Sequence, residues 1–165
     1  MILIIDTTLP RTRLTFDGRT IDAPSDKQSL DLPLRTAQIL AGKQPRAIAV
    51  ITGPGSFTGI RLGMAFAKGL ALGYNVPIVG INVFETCAGA DGKTILAIDS
   101  RRGDYFVCEN GEYRIEQTMP AGAKLIECAD LGRAIEITKE KLKKLQAGEI
   151  APIIPLYIRP SYVEC

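Results

Sequence analysis

The chain has 165 residues, 46% of them hydrophobic and 23% charged, with a net charge of +2 at neutral pH. That balance excludes a disordered chain and argues against a dedicated nucleic-acid binder. It contains no histidine, which removes Ser-His-Asp and Cys-His nucleophilic systems, HExxH zinc proteases and His-ligated metals.

The opening "MILII" is too short for a leader peptide and lacks a basic flank, and no apolar run reaches membrane-spanning length. A cytoplasmic protein is expected. The four cysteines (Cys87, Cys108, Cys128, Cys165) form no CxxC pair and read as reduced thiols, with no metal set or disulfide framework. The mean hydropathy of +0.12 hints at apolar surface covered by a partner.

The first element is "ILIIDTTLPRTRLTFDG" (2–18), a strand, a turn and a second strand ending on Asp17-Gly18. Such a dipeptide favours a type I′ hairpin turn, because both central residues need positive φ. A third strand completes a meander. "SLDLPLRTAQILA" (29–41) predicts a helix with Leu30, Leu34, Ala37 and Ala41 on its apolar stripe, Pro33 in its first turn, and Gly42 and Pro45 beyond its end. "AIAVI" (47–51) shows no alternation and reads as a buried strand. The glycine-rich "ITGPGSFTGIRLG" (51–63) leads into a helix over 57–72, then a short strand in 76–81 and a short helix in 82–90.

From residue 95 the pattern restarts. "ILAIDSRRGDYFVCENG" (95–111) repeats the first segment at an offset of 93, matching Asp6 with Asp99, Thr7 with Ser100, and Asp17-Gly18 with Asn110-Gly111. This is the signature of a duplicated β-meander. An apolar patch (124–131), a basic helix (133–146) and a Pro-rich tail (151–160) follow. The basic helix reads as a solvated face.

The order β-β-β-α-β-α-β, then a second meander, points to an α/β fold of two ribonuclease-H-like lobes, as in actin, hexokinase and Hsp70-type ATPases (the ASKHA class). The expected division is a first lobe at 1–90 and a reduced second lobe with tail at 91–165. In that fold Asp6, Thr7 and Asp99 stand where a nucleotide and its metal would be held. Hairpins that approach phosphate closely need glycine, whereas the first is "TTLPR" and the second carries Arg101 and Arg102 at its tip. The three residues therefore read as a vestigial cofactor site, with no catalytic residue, resident metal or cofactor expected. The alternative is a nucleotide-dependent enzyme using Asp6 and Asp99. A peptidase-like activity has no histidine to rest on.

Residues 51–63 match neither GxGxxG, nor a P-loop, nor the GxSxG elbow. The helix they open is apolar over most of its circumference, broken only by Thr58, Arg61 and Lys68. Gly59, Gly63, Ala67 and Ala71 recur every four residues. Such a ridge lets another backbone approach closely, and the expectation is that it lies partly against a second chain.

"GPGSFTGIRLGMAFAKGLA" (53–71), "ILIIDTT" (2–8), "AIDSRRGDYFV" (97–107) and "PLYIRP" (155–160) resemble the TsaB (YeaZ) family, in order and from end to end. The resemblance implies a non-catalytic partner of a TsaD-type enzyme and a TsaE-type ATPase. That assembly makes threonylcarbamoyladenosine beside the anticodon of tRNAs reading ANN codons. It also implies a homodimer when the protein is alone, contact with tRNA that is indirect at most, and no membrane. The implied contact runs through segments 29–41 and 57–72. Leu34 would contribute from the first. Phe57, Thr58, Arg61, Leu62, Phe66 and Leu70 would join Gly59, Gly63 and Ala67 from the second. Where the family commonly has a histidine-serine-glutamate signature, this chain reads Lys27, Gln28 and Ser29, and the second half is shorter than usual after residue 117.

Overall fold

A computed structural model of the chain describes residues 1–9, 11–24, 27–88, 94–144 and 152–159. The expected division at residue 90 falls outside the described residues.

Strands β1 (Ile2–Asp6), β2 (Arg11–Phe16) and β3 (Arg19–Pro24) form the expected meander. Asp17 and Gly18 have φ of 51° and 75°, as a type I′ turn requires. Helix α1 (Gln28–Leu40) crosses over to β4 (Ala47–Ile51), and α2 (Phe57–Tyr74) crosses to β5 (Ile78–Ile81). The five strands lie in the order β3-β2-β1-β4-β5, with β4 and β5 parallel to β1. β4 is buried along its whole length, since both faces of the sheet are covered.

One face is covered by the two crossover helices. Leu32, Ile39 and Leu40 of α1 and Ile60, Met64, Ala67 and Ala71 of α2 pack on Leu3, Ile5, Leu14, Ile48 and Val50. The apolar stripe expected on α1 is therefore the wrong one. Leu30 and Leu34 are 67% and 71% exposed, and Ala37 and Ala41 are also outside. The bulkier set Leu32, Ile39 and Leu40 removes more apolar area from water, so it takes the core. Pro33 is also one turn later than expected. The helix begins at Gln28, and the proline ring sits on its exposed side.

The second meander is β6 (Leu96–Asp99), β7 (Tyr105–Glu109) and β8 (Glu112–Glu116), with φ of 51° and 82° at Asn110 and Gly111. The repeat extends one strand further than the sequence suggested. β9 (Lys124–Leu125) pairs parallel to β6, as β4 does to β1. No helix stands between β8 and β9; residues 117–123 make the crossover that α1 makes in the first half. α4 (Leu131–Lys144) follows β9, as α2 follows β4.

α3 (Val83–Cys87), α4 and the second sheet all pack on the other face of the first sheet. One buried cluster holds Ile4, Ala49, Ile51, Val79 and Ile81 together with Leu96, Ile98, Phe106, Ala134 and Ile137. Polar ties cross it. Arg13 on β2 donates to the carbonyl of Ala129 at 2.6 Å, and Lys141 of α4 donates to the carbonyl of Gly80 at 2.9 Å. Among the described residues no helix is long and apolar enough to cross a membrane.

Candidate functional site: the α2 helix and the residues around it

The glycine-rich stretch works inward. Gly55, Gly59 and Gly63 stand every four residues and together seat the end of β1. A Cβ on Gly55 would overlap the carbonyl oxygen of Thr8, one on Gly59 that of Thr7, and one on Gly63 the Thr7 hydroxyl. The contacts are polar and specific. Thr7 donates its hydroxyl to the carbonyl of Gly59 at 2.7 Å, and Ser56 donates its N–H to the carbonyl of Thr8 at 2.6 Å. Ser56 also caps the helix, its Oγ accepting from Gly59 N at 3.1 Å.

This corrects the expectation that the Gly59-Gly63-Ala67-Ala71 ridge lies against a second chain. Gly59 and Gly63 are buried, and Ala67 and Ala71 are 0% and 6% exposed. The ridge is consumed by the chain's own sheet. The small residues let α2 sit low on β1 and β4, where a full side chain would hold the two apart.

A second small-residue series faces the other way. Ala65, Gly69 and Gly73 are exposed, and among the described residues nothing lies within 4 Å of where a Cβ would stand on Gly69 or Gly73. Beside them Leu72 is 85% exposed, and Thr58 and Lys68 are also outside. Leu62, Phe66 and Leu70 are half-buried along the edge of the helix-side core. Leu30 and Leu34 project from α1 on the same layer. Of the expected contact residues, Leu34, Thr58 and Arg61 are on the surface, Phe57, Leu62, Phe66 and Leu70 are half-buried, and Gly59, Gly63 and Ala67 are inside.

Phe57 and Arg61 are engaged by the tail. Tyr157 lies 5.0 Å from the Phe57 ring, Arg61 stands 3.7 Å over that ring, and its Nε donates to the Tyr157 hydroxyl at 3.3 Å. Leu156 donates its N–H to Thr52 at the end of β4, at 2.8 Å. Arg159 forms an ion pair with Asp104, whose other oxygen accepts from Ser100. The Ser100 hydrogen bond, joined by Arg159, holds the Asp104 carboxyl below its ordinary value. Nothing in the residue types of the tail announces these partners.

The two repeat aspartates behave alike in one respect. Asp6 accepts from Thr8 N at 3.0 Å, and Asp99 accepts from Arg101 N at 2.7 Å. Each is the first residue of an Asx turn that leaves its strand. Their surroundings differ. Asp6 is fully buried, with Oδ1 shared by the Thr8 N–H and hydroxyl and Oδ2 without a partner. Burial raises its carboxyl above the ordinary value, against those two hydrogen bonds. Asp99 is exposed and lines a hollow with Arg101, Gly103, Asp104 and Tyr105. Thr7 is spent on Gly59. Among the described residues no three His, Cys, Asp or Glu side chains gather in a way that could hold a metal ion.

Residues 34–157 match the family model described as TsaD, tRNA N6-adenosine threonylcarbamoyltransferase. The chain is 42% identical over 83 residues to the tRNA threonylcarbamoyladenosine biosynthesis protein TsaB of Escherichia coli K12, covering 44% of this chain and 36% of that protein. The chain belongs to this family, on its TsaB (YeaZ) branch. It is also 50% identical over 52 residues to the tRNA N6-adenosine threonylcarbamoyltransferase of Nitratidesulfovibrio vulgaris strain DP4, covering 32% of this chain and 14% of that enzyme. The matches thus span about a third or less of these curated relatives' length. Among solved structures, a Pseudomonas aeruginosa protein described as uncharacterised and similar to peptidase YeaZ aligns with a TM-score of 0.65 at 18% identity. That alignment covers 96% of this chain and 99% of that one, and it shows a shared fold. The TsaB motif that carries the resemblance, residues 53–71, is thus the segment that clasps Thr7 and Thr8.

Proposed function

We propose that this TsaB-family chain is a non-catalytic docking subunit for a TsaD-type enzyme in the synthesis of threonylcarbamoyladenosine on tRNA. On this reading its two sheets are a complete and a shortened ribonuclease-H-like lobe. The carrying observation is the outer face of α1 and α2. Leu30 and Leu34 of α1 are 67% and 71% exposed, and on α2 Leu72 is 85% exposed beside Gly69 and Gly73, where a Cβ would meet no described residue. A helix-interior glycine costs about 1 kcal/mol relative to alanine, and the chain's own fold draws no benefit from these two. A backbone arriving from outside would. The surface that docks is therefore formed by Leu30, Leu34, Ala65, Gly69, Leu72 and Gly73.

The test is co-elution of the full chain with a TsaD-type enzyme in size-exclusion chromatography. Gly69→Leu is expected to abolish co-elution while raising the unfolding midpoint of the chain, and Leu34→Asp to abolish it while the chain stays folded. Co-elution of both variants at the wild-type level overturns the reading. The same columns, run without the enzyme and with a TsaE-type ATPase, separate a homodimer and a ternary assembly from the simple pair.

A further inference from the structure

The fold brings together two cysteines that the sequence holds 41 residues apart. Cys87 ends α3, and its Sγ lies 3.7 Å from the carbonyl oxygen of Cys128, in the loop between β9 and α4. Neighbouring bonds fix that approach. Thr86 Oγ1 accepts from Asp130 N at 3.0 Å and donates to the Val83 carbonyl at 2.7 Å, so residues 86–87 and 128–130 run side by side. Cys128 is exposed and Cys87 partly so, which leaves both thiols open to a small oxidant. We propose that Cys87 and Cys128 form a reversible disulfide that clamps α3 to the start of α4, with glutathione disulfide as the class of oxidant.

The exchange balances in two steps. One protein thiolate attacks glutathione disulfide, forms a mixed disulfide and releases one glutathione thiolate. The second protein thiolate attacks the protein sulfur of that mixed disulfide and releases the second. Two electrons pass from the protein thiols to the oxidant, and the two protons end on the released glutathiones. The clamp would join segments that belong to opposite halves of the repeat, next to the tie between Arg13 and the Ala129 carbonyl. Cys108 is the internal control. It is half-buried on β7, as Cys87 is on α3, and burial pushes its thiol above the ordinary value, which disfavours the thiolate that exchange requires.

The experiment equilibrates the full chain with a series of reduced-to-oxidised glutathione ratios, blocks free thiols with N-ethylmaleimide and maps the peptides. The oxidised wild type is expected to retain two of its four alkylatable cysteines and to yield one peptide pair joining Cys87 to Cys128. Cys108→Ser should give the same pair. Cys128→Ser, a change at an exposed position, should give none and retain three alkylatable cysteines. Oxidation in urea should lose the selectivity. The proposal is overturned if no Cys87–Cys128 pair forms at any ratio. A pair formed through Cys108 or Cys165 in its place overturns it too, as does glutathione left on Cys128 as the end state.

Discussion

Gly63 turns its bare Cα toward the hydroxyl of Thr7, so close that a Cβ there would overlap the oxygen. Both residues are fully inside the protein, and that hydroxyl is already committed to the carbonyl of Gly59. The spacing of helix α2 above β1 is set by this contact and its two neighbours, Gly59 on the Thr7 carbonyl and Gly55 on the Thr8 carbonyl.

Gly63→Ala is therefore expected to destabilise the fold by about 1–3 kcal/mol, the usual range for overpacking a filled site. Thr7→Ala removes the oxygen that the new methyl would strike. The double variant Gly63→Ala/Thr7→Ala should thus be more stable than the sum of the two single losses, as coupled neighbours are. Urea unfolding of the four proteins gives the cycle. Strict additivity would show that Gly63 is not held against Thr7.

Gly69 is predicted to respond with the opposite sign. Its Cβ position is open and its φ is not in the left-handed region, so Gly69→Ala should stabilise the free chain by about 1 kcal/mol. On the proposed function the same change should weaken pairing with a TsaD-type enzyme. Urea midpoints and co-elution, measured on one preparation, read both effects. A destabilised Gly69→Ala variant would mean that this face of α2 is covered within the chain.

Both glycine series are visible in the sequence, and their directions are not. Gly59-Gly63-Ala67-Ala71 and Ala65-Gly69-Gly73 have the same four-residue spacing, and either could meet a partner. The extension of the first series back to Gly55, outside the helix, is the one sign that it belongs to a turn packed on its own sheet. On α1 the choice was decided by side-chain bulk, Leu32, Ile39 and Leu40 against two leucines and two alanines. The meanders were legible because type I′ turns leave a two-residue trace at Asp17-Gly18 and Asn110-Gly111. The tail was not, because Tyr157, Leu156 and Arg159 find Phe57, Thr52 and Asp104 through contacts that no local pattern encodes.

The tail contacts predict a coupled release. Arg159→Ala removes the ion-pair partner of Asp104, and Tyr157→Ala removes the ring packed on Phe57. Each should raise the rate of limited proteolysis within residues 152–159, and the pair should raise it further, because the two anchors hold one short segment. Cleavage rates equal to wild type in both single variants would show that the tail is held by its other contacts, the Leu156–Thr52 hydrogen bond and the packing of Ile153, Leu156 and Ile158 on the core.

Asp6 and Asp104 should tilt the pH dependence of stability in opposite directions. The Asp104 carboxyl lies below its ordinary value in the folded chain. Its contribution is therefore present above the unfolded carboxyl pKa of about 3.9 and is lost as pH falls through the lower folded value. Asp6 is raised by burial, so between about 3.9 and its folded value the native state holds more protons than the unfolded one, and stability falls as pH rises through that window. Asp6→Asn keeps an acceptor for Thr8 and carries no charge to desolvate. Its stability relative to wild type should therefore improve as pH rises above about 3.9 through that window. Asp104→Asn should show a constant deficit relative to wild type above about pH 3.9, and the deficit should shrink as pH falls below that value. Urea midpoints at four pH values test both. A wild-type difference for Asp6→Asn that stays flat across the series would mean that Asp6 is ionised with equal ease in the folded and unfolded chain, and its unpartnered Oδ2 would then have to be solvated.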